Sequence, residues 1–101
     1  MPIVTLWYSR DCAPCVGTLR DIVPVLEGEG VCVELADLHW HPCAARERRI
    51  DYLPTITVDA DDGTELFRCR GYPTGEAVDR IIEAYGGGTR GGPQLTATSE
   101  T

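Results

Sequence analysis

Ile3-Val4-Thr5-Leu6-Trp7-Tyr8 is a short apolar run, rich in β-branched and aromatic residues, that stops at Ser9-Arg10-Asp11-Cys12-Ala13-Pro14-Cys15. A run of that length and composition reads as a strand buried on both faces. Beyond the cysteines, Leu19, Ile22, Val23 and Leu26 fall at helical spacing. The strand therefore feeds a helix, expected over about 12–26, through the turn that carries the cysteines. Gly17 and Pro24 are flaws in that helix. Pro24 lacks an N–H, so a kink or stop is expected near it, and Gly28-Glu29-Gly30 is the end. A second strand is expected over 31–38, with Val31, Val33 and Leu35 alternating against Cys32, Glu34 and Ala36. A strand, a helix of this length and a strand make a right-handed crossover with parallel strands. The chain is committed to a layered α/β fold.

The cysteine spacing has a chemical reason. In the first helical turn, residues three apart share a face, close enough for two sulfurs to bond. Cys12 falls where unpaired N–H groups and the positive end of the helix dipole favour an anion. The thiolate is the attacking species in disulfide exchange, which makes Cys12 the nucleophile and the more shielded Cys15 the resolving thiol. Pro14 is tolerated because first-turn N–H groups lack a helical partner. The same pair also suits half of a structural zinc site, or two ordinary core cysteines.

The remaining elements follow in order. Pro42 suits the first position of a short helix over about 42–50, and Asp51-Tyr52-Leu53-Pro54 breaks it. Thr55 to Val58 and Glu65 to Cys69 read as antiparallel strands joined by Ala60-Asp61-Asp62-Gly63. Thr74 is the N-cap of a last helix with Ala77, Val78, Ile81, Ile82 and Tyr85 inside. From Gly86 the composition turns to glycine and threonine, so residues 1–86 form the domain and 87–101 a disordered tail without a chemical motif.

Composition narrows the partners. A chain of 101 residues, 43% hydrophobic and 25% charged, is one domain with a modest core. A net charge of −7 argues against nucleic acid and anionic membrane surfaces. All nine basic residues are arginine, which we read as coding bias. Five cysteines cannot form a complete internal disulfide framework. With no signal-like or membrane-length apolar segment, a reducing cytoplasmic setting is expected, where such cysteines are more often catalytic or metal-binding than structural. Cys32 and Cys69, inside strands, are expected to be small core residues.

The order β-α-β-α-β-β-α, with Cys12-Ala13-Pro14-Cys15 after the first strand, Leu53-Pro54-Thr55 before the third and Gly71 after the fourth, resembles the thioredoxin family over roughly residues 3–85. The resemblance implies a thioredoxin fold, a four-stranded mixed sheet flanked by three helices. It implies a cis Pro54 beside the dithiol, a Leu53 backbone free to pair with an extended substrate, and a Gly71 that lets backbone approach. Leu53, Pro54, Thr55 and Gly71 are then the substrate-binding residues. The activity implied is reduction of protein disulfides by a monomer without a cofactor, reloaded by a reductase of the thioredoxin-reductase type or a small thiol. Three departures stand out. Asp11 replaces the tryptophan that thioredoxins keep before the first cysteine, placing a negative charge near the sulfur, with Arg10 as a possible offset. Leu6 stands where the buried proton-handling aspartate belongs, and no lysine accompanies it. Leu53-Pro54 and Gly71-Tyr72-Pro73 do not match the glutathione-binding motifs of glutaredoxins.

His39-Trp40-His41-Pro42-Cys43 belongs to the same sheet edge as Cys12, because parallel strands gather their carboxyl-end loops there. His39 or Trp40 is expected to lie against the dithiol and tune it, with imidazole as a proton shuttle. Cys43, in a first helical turn, is a second candidate reactive thiol. The rival reading assembles zinc from Cys12, Cys15, His39, His41 and Cys43, and a non-catalytic adaptor on the same fold is the third.

Overall fold

The computed structural model describes residues 1–86. The expected tail over 87–101 lies outside the described residues. Strand β1 (Ile3–Tyr8) is followed by α1 (Ala13–Asp21) and α2 (Val23–Gly28), then β2 (Val33–Asp37), α3 (Pro42–Glu47), β3 (Thr55–Asp59), β4 (Glu65–Arg70) and α4 (Gly75–Tyr85). The sheet order is β2-β1-β3-β4. β1 runs parallel to β2 and antiparallel to β3, and β3 is antiparallel to β4. This is the expected four-stranded mixed sheet.

The first helix comes in two pieces. Pro24 has no N–H to give to the preceding turn, so α1 ends at Asp21 and the chain restarts at Val23 with Pro24 in the new first turn. Gly30, with φ +86°, then turns the chain into β2. At the other end of the chain, Thr74 caps α4 as expected, its hydroxyl accepting the Ala77 N–H at 3.1 Å.

One sheet face carries the larger core. Val4, Leu6, Ile56 and Val58 meet Val23, Leu26, Val31, Val78 and Ile81 there. The other face is thinner. Trp7, Ala36 and Ala45 form its centre, backed by Leu38, Ile50 and Leu53, and the Trp7 indole N–H donates to the Thr57 hydroxyl at 3.0 Å. Fully burying side chains such as Leu6 or Ile56 stabilises the fold by about 1.5–3 kcal/mol each. At the end remote from the cysteines, Arg48 grips Asp59 with two bonds (3.0 and 2.8 Å) and reaches Glu65 at 3.0 Å. Arg68 satisfies the carbonyls of Arg48 and Arg49 at the end of α3.

Two expectations fail on the outer strand. Leu35 is 50% exposed rather than part of the core, while Ala36 is buried against α3. β2 is the sheet's edge, so its apolar alternation runs past the cover of the helices. Cys32 is exposed just ahead of β2, not a core residue. Cys69 is half-buried, and desolvation pushes its thiol above the ordinary range. No helix among the described residues is long and apolar enough to cross a membrane.

Candidate functional site

The sheet register brings the loops together. Trp7 pairs with Thr55, Thr55 with Arg70, and Tyr8 with Asp37. The segments after Tyr8, before Thr55, after Arg70 and after Asp37 therefore share one edge. They carry Cys12, Pro54, Gly71 and His39.

Cys12 caps α1. Its backbone is extended, and its sulfur accepts the Cys15 N–H at 3.3 Å, the place usually taken by a serine or aspartate oxygen. The loop behind it is tied down by Cys12 N–H to Ser9 O (3.2 Å) and Asp11 N–H to Ser9 Oγ (3.3 Å). Ala13 and Pro14 are exposed, Cys12 is partly so, and Cys15 is completely buried. The two cysteines lie 2.6 Å apart as free thiols. Burial foremost, then a hydrogen bond to Cys12, pushes the Cys15 thiol up to about 11, against a lowering hydrogen bond from the Ser9 backbone. At neutral pH Cys15 is a thiol. Leu6 is fully buried in the main core.

The Leu53–Pro54 bond is cis. Pro54 O accepts the Gly71 N–H at 2.7 Å, joining the two loops, and Gly71 has φ +91°, a conformation that a side chain strains. The Leu53 backbone N–H and C=O have no hydrogen-bond partner among the described residues. Thr55 is 1% exposed and its hydroxyl donates to Tyr52 O at 2.6 Å, so its side chain anchors the turn before β3.

Arg10, Asp11, His39 and Trp40 do come together. With Ser9 and Asp37 they line a cleft of about 280 Å³. The cleft lies beside the loop leading to the dithiol, since Arg10 and Asp11 directly precede Cys12. Trp40 is 68% exposed and meets His39 edge-on at 5.0 Å. The organising residue is one that sequence reading passed over. Asp37, buried at the end of β2, takes Arg10 Nε at 3.3 Å and the His39 N–H at 2.9 Å. An acidic residue closing an apolar strand was the available signal. Arg10 is thus turned to Asp37, which limits its value as an offset to Asp11.

The zinc reading finds no support in the geometry. Among the described residues no three His, Cys, Asp or Glu side chains are grouped to hold a metal ion, so Cys12, Cys15, His39, His41 and Cys43 do not converge. Cys43 is exposed in α3 and His41 precedes it as the N-cap.

Two further residues were missed. Tyr72 lies against Gly17, its ring 3.5 Å from where a Cβ would stand, and its hydroxyl donates to Asp21 Oδ2 at 3.3 Å. A Cβ there would meet the ring at ordinary contact distance, so space alone does not require this interior helical glycine, which costs about 1 kcal/mol against alanine. Desolvation first, then the Asp21 carboxylate, holds the Tyr72 hydroxyl above the ordinary tyrosine range. Tyr52, before Pro54, is exposed with Arg70 over its ring.

No family model matches the chain, and no curated protein matches it in sequence. Solved structures do match in shape. Thioredoxin from Fasciola hepatica is 20% identical, with a TM-score of 0.71 over 81% of this chain and 79% of that one. Mitochondrial thioredoxin 3 of Saccharomyces cerevisiae, in its oxidized form, is 20% identical, with a TM-score of 0.70 over 82% and 77%. A poplar thioredoxin h is 17% identical, with a TM-score of 0.72 over 82% and 75%. At such identities the likeness is one of architecture, and the architecture of this chain is the thioredoxin fold.

Proposed function

We propose that the protein is a thiol–disulfide oxidoreductase that reduces disulfides in other proteins. The observation that carries the reading is the asymmetric pair at the mouth of α1: a partly exposed Cys12 whose sulfur receives a helix N–H, and a buried, protonated Cys15 within reach. The unpartnered Leu53 backbone beside Pro54 supports an extended polypeptide as substrate.

The reaction balances on the chain's own sulfurs. The Cys12 thiolate attacks one sulfur of the substrate disulfide; a Cys12–substrate bond forms and the other substrate sulfur leaves as a thiolate that takes up a proton. Cys15 gives up its proton and attacks Cys12, the mixed bond breaks, and the second substrate sulfur leaves. Two electrons have passed to the substrate, and a Cys12–Cys15 disulfide remains. A thioredoxin-reductase-like enzyme or a small thiol supplies the electrons that restore it. On this reading the protein works as a monomer in a reducing cytoplasm, without cofactor, nucleic acid or membrane.

Reduction of insulin disulfides by wild type, Cys12→Ser and Cys15→Ser tests it. Wild type turns over, Cys12→Ser is inactive, and Cys15→Ser accumulates a mixed disulfide with substrate. Equal activity in wild type and Cys12→Ser would leave only the fold, and the adaptor reading would replace this one.

A further inference from the structure

Gly71 adjoins two exposed tyrosines, one in space and one in sequence. A Cβ built on it would lie 3.7 Å from Tyr52 Cε1, and Tyr72 is the next residue. Tyr52 is 53% exposed and Tyr72 47%. The rings do not rest on each other, since among the described residues the one aromatic pair in contact is His39 with Trp40. With no side chain of its own, Gly71 leaves the backbone bare beside them.

Each ring is braced separately. Tyr72 packs on the bare backbone of Gly17, and Asp21, which holds its hydroxyl, is itself held by Arg20 through bonds of 2.8 and 2.9 Å. Over Tyr52, the Arg70 guanidinium stands 5.7 Å from the ring centroid and pairs with Asp51 at 3.2 Å. The Tyr52 carbonyl is fixed by the Thr55 hydroxyl. An exposed ring that is already held loses little freedom when something packs on it, and tyrosine has few torsions to lose.

Building on the exchange reaction above, we propose that Tyr52 and Tyr72 are the specificity-determining residues of the site: they wall a slot over Gly71 that takes an apolar side chain flanking the disulfide cysteine of an extended polypeptide. The Pro54 O to Gly71 N–H bond fixes the slot beside Pro54. A segment paired on the Leu53 backbone sends alternate side chains toward the protein, and the flanking residue falls between the rings. A carboxylate there would be taken out of water next to Asp21 and Asp51, whose cations Arg20 and Arg70 are already committed to them.

The test uses the full chain and two disulfide-linked peptides that differ only in leucine or glutamate beside the cysteine. For wild type, kcat/KM favours the leucine peptide by about tenfold, carried in KM. Tyr72→Phe keeps the ring and the preference. Tyr72→Ala and Tyr52→Ala each erase it. If Tyr72→Ala loses its folded spectrum, Tyr52→Ala decides, since that ring is braced from Arg70 and not from α1. A wild type that reduces both peptides equally well, or a preference that survives the alanine variants, overturns the slot and leaves the exchange reaction standing. A wild type that reduces neither peptide nor insulin overturns both.

Discussion

Raising the pH on the reduced protein isolates the environment of Cys15. Its thiol moves from an ordinary 9.0 to about 11 on folding, first because it is buried. The folded pKa lies above the unfolded one, so the fold prefers the neutral thiol. The stabilisation is whole below pH 9 and is lost as pH rises toward 11. Each pH unit between the two values costs a little over 1 kcal/mol, so the loss is about 1 kcal/mol at pH 10 and on the order of 2–3 kcal/mol above pH 11. Tyrosine side chains ordinarily ionise near pH 10 as well, so the measurement is a difference. Urea unfolding of wild type and Cys15→Ala, both kept reduced, is followed from pH 8 to 11.5. The stability gap between them should shrink with pH by these amounts. The disulfide form of wild type has no such thiol and should show no matching loss. A gap that stays constant across the range would mean that Cys15 is solvated, and the shielded resolving thiol would go with it.

Two other outcomes follow from the surrounding structure. Gly71→Ala places a side chain at φ +91°; its Cβ meets only an ordinary contact with Tyr52, so the cost is backbone, about 1–2 kcal/mol by urea unfolding, with a higher KM for peptide disulfides. Arg48→Met leaves the Asp59 carboxylate buried without its two bonds. Breaking a fully buried pair costs more, and with Arg48 one-third exposed the expected loss is about 2 kcal/mol in chemical denaturation, partly recovered by adding Asp59→Asn.

The parts of this molecule that were legible in the sequence are those set by local rules. The Cys12–Cys15 spacing, Pro24, the Asp62-Gly63 turn and Thr74 each act through neighbours within a helical turn or hairpin, and each appears where its chemistry requires. What was misread depends on strand order. Leu35 alternates like a core residue but belongs to β2 at the edge, and Cys32 is exposed for the same lack of cover. Asp37 matters because the register sets it across from Tyr8, so that its carboxylate meets Arg10. Tyr72 finds Gly17 across more than fifty residues, and no local pattern marks that pairing. Thr55 lies within the expected triplet, and its side chain anchors the turn before β3.

In the proposed resolving step Cys15 must give up its proton, and the groups around it decide how readily it does so. Asp37, a buried carboxylate at this edge, is occupied by Arg10 and the His39 N–H. A thiol held at about 11 would resolve a mixed disulfide slowly at neutral pH. Two of the three influences that raise Cys15, however, come from Cys12: the hydrogen bond to its sulfur and its charge. Both weaken once the Cys12 sulfur is bonded to substrate, because a disulfide sulfur carries no charge and accepts a hydrogen bond poorly compared with a thiolate. The lowering bond from the Ser9 backbone remains. On the proposed reaction, attack on substrate therefore eases ionisation of the thiol that must act next, and the proton leaves with solvent or with the departing substrate sulfur. Only burial then opposes the second step, so a residue that admits water beside Cys15 should speed resolution more than one that adds charge near Cys12.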